Sequence, residues 1–159
     1  MTLILTNFLT EEIAWSEAIV RDGEEVVPRF RIFSPEGQYI VFVQFSDEGH
    51  EYVHRLRLVK MFMAWKLAAG FVLSAQIKSP EGITSYAVTK DARTGAQRRL
   101  ERGGTISFGQ LEWLDEGQID IELSAMLPQR HNTLTTEMMR ELDEALGGDG
   151  ALVTYRVSQ

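Results

Sequence analysis

Apolar runs separated by turn-forming residues predict three β-hairpins in this chain. The tetrapeptide Ser-Pro-Glu-Gly occurs at residues 34–37 and again at 79–82, and its proline and glycine suit the middle and the end of a hairpin turn. A third turn is predicted at 115–118. The strand-like runs that flank the three turns are residues 26–33, 39–45, 71–77, 83–88, 106–114 and 119–123. Hairpins of this kind predict a mainly antiparallel sheet.

Helical spacing of apolar residues predicts a long central helix over residues 48–69. Its apolar stripe recurs every three or four positions, at Tyr52, Leu56, Val59 and Met63. The second half of the helix is apolar on nearly all sides. We therefore expect this half of the helix to be covered on both sides. The sheet would cover one side, and a second subunit is a candidate for the other.

Two further helices are predicted near the ends of the chain. The first begins behind a cap at Thr10 and stops at Gly23. The last begins behind a cap at Thr133 or Thr135 and stops at Gly147. Its apolar stripe consists of Leu134, Met138, Leu142 and Leu146.

The remaining segments complete the expected fold. Residues 152–157 predict a closing strand. Residues 90–104 fit either a helix capped by Asp91 or a turn at Thr94 and Gly95 that leads into a strand. We therefore expect a single α+β domain over residues 1–159. It consists of a mainly antiparallel sheet built from three β-hairpins, with the long central helix and the two further helices packed on one face.

Composition favours a cytoplasmic protein. The chain has no cysteine, which excludes disulfides and thiolate metal sites and fits a reducing compartment. The first positive charge is Arg21, so the N-terminus lacks the basic region of a secretory signal. The most apolar run, residues 61–77, is interrupted by Lys66 and is shorter than the roughly 20 residues that span a bilayer. We expect no membrane partner.

Positive charge is concentrated in the middle of the chain. Residues 54–102 carry a formal charge of +7 within a total of −7, which leaves −14 for the remainder. Four arginines in this part suit an anion or an acidic partner: Arg93, Arg98, Arg99 and Arg102. Alternatively, the basic and acidic parts fold against each other or pair within a dimer. The acidic total disfavours nucleic acid as a partner.

One pentapeptide has the spacing of a metal site. His50-Glu51-Tyr52-Val53-His54 fits H-E-x-x-H, in which two histidines one helical turn apart bind zinc and the glutamate activates a water as general base. A catalytic zinc of this type also needs a third protein ligand and one position open to water.

Three features oppose the zinc interpretation. The motif lies in the first turn of the predicted helix, where free N–H groups and the positive end of the helix dipole disfavour a cation. Arg55 and Arg57 add positive charge within one turn, and the position six residues after His54 is Lys60. His131 is the only other histidine. We expect no cofactor, with zinc on His50 and His54 as the alternative.

These observations favour a non-enzymatic binding or regulatory module that forms a homodimer or binds an acidic protein through its basic strip, residues 54–102. One alternative is a zinc-dependent hydrolase in which His50 and His54 bind the metal and Glu51 acts as the catalytic base. A second alternative is a nucleic-acid-associated protein that uses the four arginines.

Overall fold

The computed structural model describes residues 2–35, 39–44, 49–128, 134–147 and 154–157, and the side chains of residues 6–35, 56–128 and 134–144. Within these residues the α-helices are α1 (Thr2–Arg21), α2 (Gly49–Trp65) and α3 (Thr136–Gly147). The strands are β1 (Arg29–Phe33), β2 (Tyr39–Gln44), β3 (Gly70–Lys78), β4 (Glu81–Thr89), β5 (Arg93–Arg102), β6 (Ile106–Phe108), β7 (Glu112–Leu114) and β8 (Thr154–Val157). Short 3₁₀ helices span Glu116–Gln118 and Ile121–Met126.

The described strands form one antiparallel sheet. Their order is β6-β5-β4-β3-β1-β2-β8, and β7 pairs with β5 beside β6. Strands β3 and β4 pair from Lys78 and Glu81 onward, so the turn between them consists of Ser79 and Pro80. The prediction of an α+β fold with a mainly antiparallel sheet is confirmed.

Helices α2 and α3 cover one face of the sheet. Phe30 and Ile32 of β1 point towards them and form a core with Phe62 of α2 and Leu142 of α3. From Leu58 to Met63 every residue of α2 except Lys60 is buried. The apolar positions from Leu58 to Met63 are therefore covered within the chain, whereas Trp65 is 36% exposed and Leu67, just after the helix, is 71% exposed. The homodimer itself stays a prediction.

Helix α1 covers the opposite face, so the prediction that the helices share one face is wrong. Ile13 and Val20 of α1 pack with Ile83 of β4 and Ala96 of β5. Strand alternation places these residues opposite the face that carries Phe30 and Ile32. The chain therefore has three layers, with the sheet in the middle.

The helix lengths also differ from the prediction. Helix α1 has 20 residues and α2 has 17, so the predicted long central helix over 48–69 is shorter than expected. It ends before Leu67, which has a φ of 53°, and the Ala68 N–H donates to the Met63 carbonyl at 2.9 Å. Thr10 does not cap α1, because its hydroxyl donates to the Thr6 carbonyl at 2.9 Å inside the helix.

The third predicted hairpin is wrong. Residues 119–123 enter a 3₁₀ helix instead of a strand, while β6 and β7 both pair with β5. The side chain of Asp120 accepts a hydrogen bond from the Glu122 N–H at 2.9 Å. Such local bonds offer the backbone an alternative to a strand ladder. Within this 3₁₀ helix, Ile121 is 67% exposed.

The structure resolves two alternatives that the sequence left open. Most of the 90–104 segment is strand β5 (Arg93–Arg102). At the start of α3, Thr135 is the cap, because its hydroxyl accepts from the Met138 N–H at 3.1 Å. None of the helices in the described part of the chain combines the length and the apolar character that crossing a membrane requires.

Candidate ligand-binding site

A surface pocket of about 430 Å³ lies where α1 ends against the sheet. We call it the α1-end pocket. The segment after α1 forms one wall with Gly23, Glu24 and Glu25. The sheet forms the other wall with Gln76 and Lys78 of β3, Glu81 of β4 and Arg102 of β5.

The helix end positions the first wall. Gly23 has a φ of +86°, a conformation that glycine adopts without steric cost. The Gly23 N–H donates to the Val20 carbonyl at 3.0 Å and the Glu24 N–H donates to the Ile19 carbonyl at 3.1 Å. This pair of bonds is the Schellman ending of a helix. It turns the chain so that Glu24 and Glu25 reach the pocket.

Strand alternation positions the second wall. Gln76 and Lys78 are two residues apart on β3 and therefore share a sheet face, and Lys78 pairs with Glu81 across the two-residue turn. The side-chain oxygen of Gln76 accepts from the Val26 N–H at 2.8 Å, and its amide nitrogen lies 3.5 Å from Glu81 Oε2. Gln76 therefore ties the segment after α1 to the sheet.

Opposite charges alternate around the pocket. The Nε of Arg102 donates to both carboxylate oxygens of Glu81, at 2.9 and 3.0 Å. The Nζ of Lys78 lies 3.5 Å from a carboxylate oxygen of Glu25. These pairs are open to solvent, since 49% of the Arg102 side chain and 78% of the Lys78 side chain are exposed.

The Arg102–Glu81 contact keeps both groups charged near neutral pH. The hydrogen bond from Arg102, followed by its positive charge, holds the pKa of Glu81 below its ordinary value, while burial acts in the opposite direction. The same hydrogen bond and the charge of Glu81 raise the pKa of Arg102, and the nearby Glu25 contributes to this increase. Glu81 and Arg102 therefore present fixed charges to the pocket.

Some charged groups of the pocket keep hydrogen-bonding capacity that no described residue uses. A guanidinium has five N–H donors, and the hydrogen bonds of Arg102 there involve its Nε only. Its two terminal nitrogens therefore keep their donors for a ligand. The exposed Glu24 carboxylate likewise has no hydrogen bond or ion pair with any described residue.

A second polar cluster lies buried between α1 and the sheet. Glu12 of α1 is 1% exposed and Arg29 of β1 is 6% exposed. The guanidinium of Arg29 donates to Glu12 Oε2 from Nε at 3.0 Å and from a terminal nitrogen at 2.6 Å. Ser74 donates to the same oxygen at 3.2 Å and lies 2.8 Å from the hydroxyl of Ser85. This cluster links α1 to the sheet. Because it is closed to solvent, a ligand cannot reach it.

The H-E-x-x-H motif lies at the start of α2. The helix begins at Gly49, so His50, Glu51 and His54 belong to its first turns and the histidines keep the spacing of one turn. Their side chains lie outside those that the structure describes. Among the described residues there is no group of three His, Cys, Asp or Glu that could hold a metal ion. Zinc at His50 and His54, with Glu51 as base, stays the alternative to the expectation of no cofactor.

The four predicted arginines do not form one strip. Alternation along β5 places Arg98 and Arg102 on the α1 face and Arg93 and Arg99 on the other. Arg93 contacts Glu116, Arg98 contacts Glu17 and Arg102 contacts Glu81. Arg99 is exposed. Three of the four arginines thus contact acids of the same chain, and two of these acids, Glu17 and Glu116, lie outside the basic segment, as the alternative interpretation of the charge pattern expects.

Of the residues in the α1-end pocket, only Arg102 was predicted as a site residue. Glu24 and Glu25 follow the helix stop at Gly23, and Gln76, Lys78 and Glu81 flank the second Ser-Pro turn. The sequence marks these residues as polar positions at the ends of predicted elements. No motif with a fixed spacing relates residues 24 and 102, so the sequence does not predict that they line one pocket. No protein-family model, no curated protein and no solved structure matches the chain.

Proposed function

We propose that the protein is a non-enzymatic binding module whose α1-end pocket holds a small zwitterion, a ligand that carries both a carboxylate and an amino group. The observation that supports this proposal is that one pocket contains both kinds of partner for such a ligand. Arg102 has N–H donors that no described residue uses, and Glu24 and Glu25 have exposed carboxylates. A zwitterion complements both walls at once. The volume of about 430 Å³ lies in the range of small-molecule sites.

Ligand charges can compete with the ion pairs that rim the pocket. Glu25 is 57% exposed and Lys78 is 78% exposed, and ion pairs between exposed side chains contribute little to stability. A ligand therefore displaces the Lys78–Glu25 contact at small cost. Arg102 need not leave Glu81, because its terminal nitrogens can donate to a ligand carboxylate while Nε keeps its contact with Glu81.

The charge states in the pocket suit binding better than proton transfer. General acid–base catalysis works best when the pKa of the catalytic group lies near the working pH. Here the contact with Arg102 lowers the pKa of Glu81 and raises that of Arg102. Both shifts move the pKa of the group further from neutral pH.

The test is isothermal titration calorimetry of the whole chain against a panel of α-amino acids. We expect saturable binding that Arg102→Gln weakens by roughly tenfold to a hundredfold, since hydrogen bonds to charged groups are the strong ones. Arg93→Gln is the matched control, because Arg93 is also a β5 arginine with an acidic neighbour but lies outside the pocket. The proposal is overturned if no amino acid binds, or if both variants bind as the wild type does.

A further inference from the structure

We infer that the ligand of the α1-end pocket is a basic α-amino acid, one with an ammonium or guanidinium group on its side chain. This inference rests on the proposed function and makes it specific. It follows from the balance of charges in the pocket and from the position of the one lining carboxylate without a described partner.

The lining has an excess of one negative charge. Glu24, Glu25 and Glu81 contribute three carboxylates, whereas Lys78 and Arg102 contribute two cations. A neutral zwitterion leaves this excess unchanged. A basic amino acid has a net charge of +1 and removes it, so the liganded pocket has no uncompensated charge.

The excess charge belongs to Glu24. Glu81 is held by Arg102 and Glu25 lies beside Lys78, but Glu24 has no partner among the described residues. Glu24 follows Gly23 directly, and its backbone is held by the hydrogen bond of its N–H to the Ile19 carbonyl. A ligand side chain that ends in a cation therefore has a carboxylate available in this wall of the pocket.

The remaining ligand groups have partners of the right sign. The α-carboxylate meets the terminal nitrogens of Arg102, which form the two-pronged donor that suits a carboxylate. The α-ammonium meets Glu25, and Lys78 turns from Glu25 towards the ligand carboxylate. Each charged group of a basic amino acid is then matched, whereas an acidic amino acid adds a second excess negative charge.

The decisive comparison uses lysine and norleucine, which differ in that norleucine lacks the terminal ammonium. We expect lysine to bind at least about tenfold more tightly than norleucine by calorimetry, since a charge-assisted contact is added. Glutamate should bind more weakly than norleucine. Nα-acetyl-lysine should also bind more weakly than lysine, because it has no α-ammonium group. In this respect it resembles the C-terminal residue of a peptide.

The variant that tests the assignment is Glu24→Gln. It should abolish the preference for lysine over norleucine, whereas a variant outside the pocket should keep that preference. Glu101→Gln is the matched control, because Glu101 is an exposed β5 carboxylate outside the pocket. Circular dichroism checks that both variants are folded.

The outcomes separate the two proposals. If lysine and norleucine bind equally, or Glu24→Gln keeps the preference, the inference of a basic ligand is overturned while the zwitterion site stands. If Nα-acetyl-lysine binds as well as lysine, the inference of a free amino acid is overturned, and the C-terminal lysine of a peptide becomes the favoured ligand. If no amino acid binds, both proposals fall.

Discussion

The carboxylate of Glu12 on α1 accepts two hydrogen bonds from the guanidinium of Arg29 on β1, and both side chains are almost completely buried. Burial lowers the pKa of Arg29, and the charge of Glu12 and its hydrogen bonds act in the opposite direction. The ring of Trp15 lies against the same guanidinium, with its centroid 3.0 Å from Cζ. This pair is a buried polar link between α1 and the sheet.

Removing one partner of this buried pair should destabilise the fold strongly. Glu12→Gln leaves the Arg29 charge buried without a counter-charge, and we expect a loss of about 3–5 kcal/mol in the free energy of unfolding. Urea denaturation measures it. Glu11→Gln is the control, because Glu11 pairs with Arg31 from a side chain that is 60% exposed, and its loss should be below about 1 kcal/mol.

The double variant Glu12→Leu/Arg29→Met sharpens this prediction. If the cost of the single variant arises from an uncompensated charge, removing both charges together should restore most of the stability. Equal losses for Glu12→Gln and Glu11→Gln would show instead that the pair is not buried in solution.

Leu67 occupies a position that suits glycine. It has a φ of 53° just after α2 and is 71% exposed, so its side chain gains little from packing while its backbone is in the left-handed region. Leu67→Gly should raise the free energy of unfolding by up to about 1 kcal/mol. Leu67→Ala keeps the unfavourable backbone and should leave stability nearly unchanged. A gain that is the same for both variants would point to loss of the exposed leucine side chain as the cause.

Gly70 lies where β1, β3 and β4 approach closely. A Cβ at this position would lie 2.6 Å from Phe33 Cζ and 2.6 Å from the Val88 carbonyl oxygen. Gly70→Ala should therefore cost about 1–3 kcal/mol, as overpacked positions do. Gly104→Ala is the control, since a Cβ there meets nothing within 4 Å. Thermal or urea denaturation of the two variants tests the difference, and equal stabilities would contradict it.

Local signals account for the parts of the fold that the sequence predicts well. The stripe containing Leu142 and the threonine cap at Thr135 depend on neighbours within one or two turns, and the structure places both as expected. The third hairpin is wrong for the same local reason. Asp120 bonds its own neighbouring backbone, and that preference outweighs the alternation of Ile119, Ile121 and Leu123.

Contacts between layers account for what the sequence does not predict. The alternation of Arg29 and Arg31 with Phe30 and Ile32 separates the two faces of β1 but does not say which face meets water. Both faces are covered, because Glu12 of α1 supplies the counter-charge that lets Arg29 be buried. The α1-end pocket depends on contacts between layers in the same way, because Glu24 and Arg102 line one pocket only where the end of α1 packs against the sheet.

The zinc alternative leads to a direct measurement. Because α2 begins at Gly49, His50 is at the positive end of the helix dipole, which disfavours a divalent cation. We expect the untagged protein to contain no stoichiometric zinc by inductively coupled plasma mass spectrometry. We also expect that added zinc will not change its stability. Bound zinc that is lost in His54→Ala would contradict this expectation and favour the hydrolase.

The Arg102–Glu81 contact should give a measurable pH dependence. Because the pKa of Glu81 is lower in the folded protein than its ordinary value of 4.5, the contact stabilises the fold at neutral pH. This contribution is lost as the pH falls through the folded-state pKa. Carboxyl-detected NMR titration should give a midpoint for Glu81 below 4.5, and Arg102→Gln should return it towards that value. Ligand affinity should fall over the same acidic range, because a protonated Glu81 no longer holds Arg102 in place. An unshifted Glu81 in the wild type would show that Glu81 and Arg102 do not form this contact in solution.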